Sequence, residues 1–171
     1  LCCSLIDYMF PDMVDIHTHL SELYKVDYQK SKELTFKQLY GGVFKQYKNL
    51  EFFKRIDEYV KNLWDEFNTK GFITCPISSY VFEKEKLKDM NPQKLFNYLL
   101  QNLETSTNVC ILWEILKVLR GYNTQMVLYT YDSFLLDVDE SEVGLVEEVK
   151  NIFKKYKFNI KEKKGYDYDF K

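Results

Sequence analysis

A lysine, a phenylalanine and a tyrosine recur at four-residue steps in the first quarter of the chain. Lys32, Phe36 and Tyr40 lead directly into the pair Gly41-Gly42. Four-residue steps put the three side chains on one helix face, where they offer a cation, an aromatic plane and a phenol. Such a face suits the binding of a triphosphate and the packing of a sugar or base. An ordinary amphipathic helix with a glycine cap has the same spacing, so both interpretations stay open.

An aspartate interrupts an apolar, β-rich stretch in the second half of the chain. Residues 125–138 form two β-rich runs joined at Asp132-Ser133, which predicts an antiparallel hairpin with Asp132 at its tip. A carboxylate held at such a turn is well placed to bind a divalent metal ion. Aspartate is also a common turn residue for local hydrogen-bonding reasons, and the sequence around Tyr131 and Asp132 leaves this role open as well.

A polar stripe runs along a long predicted helix. Asn97, Gln101, Glu104 and Asn108 are four, three and four residues apart and therefore share one face. A solvated helix face usually favours lysine and glutamate over amides. Uncharged amides suit hydrogen bonds to base edges and sugars, where a full charge would be costly to desolvate. The stripe indicates either a solvated face or a surface that reads nucleic acid.

The segment His17-x-His19 resembles the segment by which some metal-dependent hydrolases deliver two histidines to a metal. Sites of that kind need further histidines from later strands, but the chain has only two. The rest of the sequence does not alternate strand and helix as such a barrel would. A hydrolase fragment is therefore a minor alternative.

Hydrophobic periodicity and turn residues predict the elements that position these groups. Helices are predicted in the following places: 15–24, 27–39, 49–69, from Asn91-Pro92 to about Arg120, and 141–156. Extended segments are predicted at 72–82, at 125–138 and near 157–162. Helices followed by a hairpin, a helix and a strand predict an α+β fold with an antiparallel sheet backed by helices.

Composition excludes several classes of protein. The apolar fraction of 46% predicts a packed core, in one domain or two small lobes. The four cysteines lack CxxC spacing, which favours a reducing cytosol over a disulfide scaffold. No apolar run is long enough to span a membrane. Basic residues dominate 25–61 and acidic residues dominate 132–148, which fits either a site for phosphates and metal ions or ordinary solvated faces.

Taken in order, these segments resemble family A DNA polymerases, the group that includes bacterial polymerase I and many phage replicases. The resemblance runs from about residue 10 to the end of the chain and is carried by six segments, in this order: Asp15-Ile16-His17-Thr18, Lys32-x3-Phe36-x3-Tyr40-Gly41, Gly71-Phe72-Ile73-Thr74, Asn97-x3-Gln101, Tyr131-Asp132-Ser133 and Gly165-Tyr166-Asp167-Tyr168. No single segment is specific. Their shared order and spacing identify the chain as similar to the fingers and the C-terminal palm of the family.

The chain departs from the family pattern at several positions. Tyr28 stands where the family has an arginine four residues before the motif B lysine, and Lys30 is a nearby substitute. Tyr131 and Ser133 replace the histidine and glutamate of motif C, a pattern of divergent phage-type members. Residues 77–79 replace the usual Gly-Arg-Arg.

The resemblance implies a reaction and a set of roles. The reaction is nucleotidyl transfer from a dNTP to a primer 3′-hydroxyl. Lys32 would contact the triphosphate, Phe36 would pack on the sugar, and Tyr40 would lie near the templating base. Asn97, Gln101 and Tyr131 would contact primer-template DNA.

The resemblance also implies a metal cofactor and a missing half of the site. Asp132 would be the catalytic metal ligand of motif C, in a site that holds two Mg²⁺ ions in a complete polymerase. The motif A segment Asp-x-Ser-x-x-Glu is absent and is expected before Leu1. The chain is therefore expected to be a fragment, inactive alone, whose partners are primer-template DNA, dNTPs and the remainder of the polymerase upstream of Leu1.

The expected domain division is a fingers region at 1–92, which also holds the end of the first palm segment, and a C-terminal palm segment at 93–171. The expected location is the cytoplasm of a bacterium or a phage-infected host cell, without membrane association. A non-catalytic DNA-binding or accessory protein derived from the same fold is the main alternative.

Overall fold

The computed structural model of the protein describes residues 15–131, 133–158 and 160–166. Asp132, at the predicted hairpin tip, and residues 167–168 of the predicted terminal motif lie outside the described residues. The chain divides into two units, Leu1–Glu104 and Thr105–Lys171. The predicted division into a fingers region, 1–92, and a palm segment, 93–171, refers to a complete polymerase and stays a prediction.

The first unit begins with two short helices that pack against each other, α1 (Ile16–Tyr24) and α2 (Tyr28–Gly41). Asp15 caps α1 by accepting a hydrogen bond from the backbone N–H of His17 at 3.0 Å. Asp27 caps α2 in the same way, accepting from the N–H of Lys30 at 2.9 Å. Caps of this kind satisfy backbone donors that have no partner inside the helix. Both predicted helices are confirmed. Their caps involve only neighbouring residues, and signals of this kind can be identified in a sequence.

Helix α3 (Glu51–Lys70) buries the apolar stripe that predicted it. Phe53, Ile56 and Phe67 lie on its buried side, and Phe53 and Phe67 are fully buried. The helix ends at Gly71, whose φ of 77° is left-handed. Glycine adopts this conformation without the Cβ clash that other residues meet, which is why it ends the helix here.

A short antiparallel hairpin follows α3, formed by β1 (Phe72–Thr74) and β2 (Val81–Glu83). Ile73 pairs with Phe82, and both side chains are buried in the core of the first unit. The hairpin is the one predicted over 72–82.

Helix α4 (Pro92–Val118) is the longest element of the described structure. Asn91 caps it by accepting a hydrogen bond from the N–H of Lys94 at 2.9 Å, and proline occupies the first helical position as predicted. The boundary between the two units falls inside this helix, after Glu104.

The second unit contains a hairpin and a helix. Strands β3 (Gln125–Thr130) and β4 (Ser133–Asp137) pair antiparallel, with a register shift between Met126 and Leu128. Helix α5 (Leu145–Lys155) follows them. The core of this unit consists of apolar side chains from α4, α5 and the turn after α4: Ile111, Ile115, Leu119, Leu145, Val149 and Ile152.

Two details differ from the prediction. The last helix begins at Leu145 rather than 141, because the Asp139 side chain accepts from the N–H of Ser141 at 2.9 Å and holds a 3₁₀ turn at Glu140–Glu142. The prediction of a strand near 157–162 is wrong for the described residues of that range, 157–158 and 160–162. Lys157 is left-handed, with φ 58°, and the N–H of Phe158 donates back to the Phe153 carbonyl at 3.0 Å. This pair closes α5 instead of starting a strand.

The α+β fold class is confirmed. Its β structure differs in arrangement from the expectation, because the two hairpins form separate two-stranded sheets in the described residues instead of one sheet. Across the same residues, no helix combines the length and apolarity needed to cross a bilayer.

Candidate functional site

Helix α2 carries the predicted nucleotide-binding residues on an accessible face. Lys32 and Tyr40 are exposed and Phe36 is half-buried. The rings of Phe36 and Tyr40 stack one helical turn apart, with centroids 6.3 Å apart and an angle of 14° between their planes. The structure therefore brings an exposed cation and a pair of aligned aromatic rings to one surface, as the spacing predicted.

The opposite side of α2 buries three polar side chains in addition to the apolar Leu39. Ser31, Thr35 and Gln38 are almost fully buried. Ser31 Oγ donates to the His17 carbonyl at 2.8 Å, and Gln38 Nε2 donates to the Tyr24 hydroxyl at 3.2 Å. Burial raises the pKa of the Tyr24 phenol, so this hydroxyl is neutral and able to accept. These bonds hold α2 against α1 in a defined rotation, and this rotation is what exposes the Lys32 face.

His17 lies at the base of that face. It is 6% exposed, and its ring contacts Phe36 at 5.6 Å and Tyr28 at 6.0 Å between centroids. Burial lowers the pKa of His17, the negative charge of Asp15 opposes this effect, and the positive charge of Lys32 adds to it. The imidazole is therefore neutral near pH 7. Its Nδ1 is buried, and no hydrogen-bond partner for it lies in the described part of the chain.

The two histidines cannot ligate one metal ion as the hydrolase alternative requires. His17 and His19 lie two residues apart on helix α1, where side chains point to different sides. His17 is buried and His19 is exposed. The hydrolase alternative is therefore wrong, because the segment is a helix and not a strand that delivers both rings to one side.

The polar stripe on α4 is used unevenly. In the first unit, Asn97 is half-buried and its Nδ2 donates to the Tyr40 carbonyl at 3.2 Å. In the second unit, Asn108 is buried and its Nδ2 donates to the Tyr131 carbonyl at 2.9 Å. Gln101 is exposed. The stripe is neither a uniform solvated face nor a uniform reading surface, since two of its amides hold other backbone segments in place.

The structure describes the residues on both sides of Asp132 in the β3–β4 hairpin. Thr130 pairs with Ser133, the first residue of β4. Tyr131 is 84% exposed and left-handed, with φ 50°. Bulky residues rarely adopt this conformation, and they do so where surrounding contacts enforce it. The bond from Asn108 is such a contact, and it anchors the segment that carries the predicted metal ligand.

The acidic stretch at 132–148 has a structural use in the part that the structure describes. Both carboxylate oxygens of Glu142 accept backbone N–H groups, from Asn123 at 3.1 Å and from Thr124 at 2.8 Å. The N–H of Thr124 is the main cause of the lowered pKa of Glu142. Hydrogen bonds from the side chain of Ser141 chiefly lower the pKa of Asp139. These two carboxylates cap turns, so this part of the stretch is explained without a metal.

The residues described do not by themselves form the expected magnesium site. No group of three or more histidine, cysteine, aspartate or glutamate side chains among them has the arrangement of a metal site. The predicted ligand Asp132 lies outside them, so the magnesium site stays a prediction.

Three residues of the candidate site have structural roles that the sequence did not predict: His17, Gln38, and Gln93, whose Nε2 donates to the Leu39 carbonyl. His17 belongs to a motif whose residue types suggest a metal ligand rather than a packed ring. Gln38 and Gln93 stand in helical patterns that look solvated. One sequence signal could have suggested a shared role for Gln93 and Asn97. Both carry amides, and they lie four residues apart.

No family model and no curated protein sequence matches this chain. The fold is that of part of a DNA polymerase domain. A solved structure with this likeness is the POL domain of Pol1 from M. smegmatis in complex with DNA primer-template and dNTP, at a TM-score of 0.53 and 16% sequence identity. The likeness covers 80% of this chain and 24% of that one, so this chain spans about a quarter of the polymerase domain that it matches.

Proposed function

We propose that this chain is the fingers and C-terminal palm part of a template-directed DNA polymerase of family A, of the divergent phage type. The observation that carries the proposal is the likeness of its fold to part of a polymerase domain. The exposed face of α2, with a lysine beside two stacked rings, is a second and independent support.

In this proposal the face of α2 binds the incoming dNTP. Lys32 is exposed on a helix whose rotation is set by buried hydrogen bonds, so its ammonium group can approach a triphosphate without rearrangement of the helix. The half-buried ring of Phe36 offers an apolar plane for the sugar. The ring of Tyr40 is one turn further along and is aligned with that of Phe36. In this proposal it would lie near the templating base.

Primer-template DNA would contact α4 and the β3–β4 hairpin. Gln101 offers an exposed, uncharged amide, which can donate to the acceptors of the minor groove. Asn97 has one N–H left after its bond to the Tyr40 carbonyl. Tyr131, at the exposed hairpin tip, would contact the primer end next to Asp132. The M. smegmatis neighbour was solved with DNA primer-template and dNTP, which is the same pair of partners.

The chemistry proposed is attack of a primer 3′-hydroxyl on the α-phosphate of a dNTP, with release of pyrophosphate. Magnesium, when bound, would supply Lewis-acid activation of the nucleophile and charge stabilisation of the leaving oxygens. Asp132 would be one ligand, and the aspartate of motif A, expected upstream, another. The contribution of the described residues is to bind and orient the nucleotide and the DNA.

The test is a substitution series in the polymerase that contains this chain. Lys32→Ala removes a charge-assisted contact worth about 1.5–3 kcal/mol, which corresponds to a rise in KM for dNTP of about 10-fold to 100-fold. Lys37→Ala is the matched control, since Lys37 is exposed on the same helix and its Nζ lies 5.9 Å from the centroid of the Phe44 ring. Asp132→Ala should abolish incorporation while primer-template affinity is retained. Equal KM values for the Lys32→Ala and Lys37→Ala proteins would contradict the assignment of α2.

The same substitution series distinguishes the proposed polymerase from the alternative, a non-catalytic DNA-binding protein with this fold. The alternative predicts binding of primer-template by the unmodified protein without extension of the primer. It also predicts that Asp132→Ala has no effect on any measured quantity.

A further inference from the structure

The C-terminal end of helix α2 is held by side chains from another helix. The last four carbonyls of an α-helix have no partner inside the helix. In α2 the Gln38 carbonyl accepts from the N–H of Gly42 at 2.9 Å, which is a local cap. The carbonyls of Leu39 and Tyr40 are satisfied from α4 instead.

Two amides spaced four residues apart on α4 supply these bonds. Gln93 Nε2 donates to the Leu39 carbonyl, and Asn97 Nδ2 donates to the Tyr40 carbonyl at 3.2 Å. A four-residue step puts both amides on one face of α4, and consecutive carbonyls are available at the end of α2. These two hydrogen bonds join α4 to the end of α2, between residues more than fifty positions apart in sequence. They are called the tie between α2 and α4 below.

The same end of α2 is fixed from its other side by Gln38. Its Nε2 donates to the Tyr24 hydroxyl at 3.2 Å and its Oε1 accepts from the N–H of Phe44 at 3.1 Å. The last turn of α2, which carries Tyr40, is thus held between α1 and α4. A change in either set of bonds would alter the position of the ring at residue 40.

We propose that Gln93 and Asn97 are positioning residues that set the place of Tyr40 and thereby couple DNA contact to nucleotide binding. The inference rests on the proposed function of α2 and α4. Asn97 carries the coupling because its amide group has two N–H donors, of which one is bonded to the Tyr40 carbonyl. Among the described residues the other N–H makes no hydrogen bond. DNA that bonded to it would therefore contact the group that holds the nucleotide-binding helix.

The unsatisfied acceptor on Asn97 supports a role beyond capping. Its Oδ1 is buried and finds no hydrogen-bond partner among the described residues. Buried polar atoms are normally paired, and an unpaired one is destabilising. The unpaired acceptor is not accounted for by capping, which uses only the N–H groups of Asn97.

The first experiment measures the tie in the 171-residue chain by hydrogen exchange. In the double variant Gln93→Leu, Asn97→Leu, exchange at the amides of Gly42 and Phe44 should be about fivefold to hundredfold faster, the factor expected for the loss of two hydrogen bonds. Amides in the middle of α3 are the internal control and should be unchanged. Unchanged exchange at Gly42 and Phe44 would overturn the tie.

The second experiment separates nucleotide from DNA binding in the polymerase that contains the chain. Gln93→Glu keeps the length of the side chain but replaces the N–H donor by an oxygen that the Leu39 carbonyl repels. It should raise KM for dNTP about threefold to tenfold, with kcat and the primer-template Kd little changed. Gln93→Lys restores a donor and should return KM toward the original value. Gln101→Glu makes the same substitution on an exposed part of α4, and it should raise the primer-template Kd instead.

The outcomes distinguish this inference from the proposed function. A Gln93→Glu protein with a raised primer-template Kd and normal KM for dNTP overturns the positioning role while the polymerase assignment stands. A parent protein without template-directed synthesis overturns the polymerase assignment and the coupling with it. The hydrogen-exchange result then still decides whether the two amides hold α2.

Discussion

The role of His17 in the structure differs from the role that its sequence motif suggests. It is one of two histidines and belongs to a motif that resembles a metal-binding segment. In the structure it is a neutral, buried ring that supports Phe36 and Tyr28 beneath the Lys32 face. Because a protonated imidazole would be poorly solvated there and close to Lys32, protonation should oppose folding.

Stability should therefore fall as the pH is lowered through the range where histidine titrates. The pKa of His17 is lowered in the folded state, so the unfolded chain takes up the proton first. Folding stability is thus highest above about pH 6.5 and is lost as the pH falls from there toward the lower folded pKa. Thermal unfolding at pH 7.5 and pH 5.5 should show a fall in Tm that is reduced in His17→Phe. His19→Phe, which changes the exposed histidine, is the control and should keep the full fall; an equal reduction in both variants would contradict the assignment.

At the scale of elements, helix α4 is the part that ties other segments together. Within the first unit its amides hold the end of α2, and within the second unit Asn108 holds the tip of the β3–β4 hairpin. A two-stranded hairpin is only marginally stable without packing or anchoring contacts. The residue next to Asp132 therefore depends on a bond from α4 for its position.

Asn108→Ala should loosen this hairpin tip. Loss of the 2.9 Å bond to the Tyr131 carbonyl should cost about 1 kcal/mol, which lowers Tm by about 2–4 °C in a protein of this size. Exchange at the amide of Ser133 should become faster because the neighbouring Tyr131 is held less firmly. Asn151→Ala, on the exposed side of α5, is the control. A hairpin that exchanges equally in both variants would show that its strand pairing alone fixes the tip.

At the scale of the whole molecule, the fold of the chain is similar to a minor part of a polymerase domain. It spans 24% of the M. smegmatis domain that it matches. The proposed nucleotide face is on the first unit and the predicted metal ligand is on the second. In the proposed function, catalysis also requires a motif A carboxylate, which this sequence does not contain.

The 171-residue chain alone should not extend a primer. A site that depends on two carboxylates to hold two metal ions loses its function when one is missing. Primer extension should be measured with Mg²⁺ and dNTPs, with the polymerase that contains the chain as the positive control. Extension by the isolated chain, at any rate above that of its Asp132→Ala variant, would show that a different group supplies the missing ligand.

The sequence by itself determined the helices, the two hairpins and the faces that Lys32, Phe36 and Tyr40 occupy. Helix caps, proline, glycine and apolar spacing act within a few residues, so they can be identified in a single sequence. The prediction of a closing strand near 157–162 failed because the outcome depends on the backbone conformation of a single residue. Left-handed Lys157 ends α5, and nothing in the residue type of a lysine indicates that conformation.

Only the tertiary structure decided which polar groups leave solvent and what they hold. Gln38, Gln93, Asn97 and Asn108 stand in helical patterns that look solvated, yet each donates to a group brought near by folding. A polar side chain withdrawn from water is stable only when its partner is in place. Those partners are 14, 54, 57 and 23 residues away in sequence, beyond the range of any local pattern.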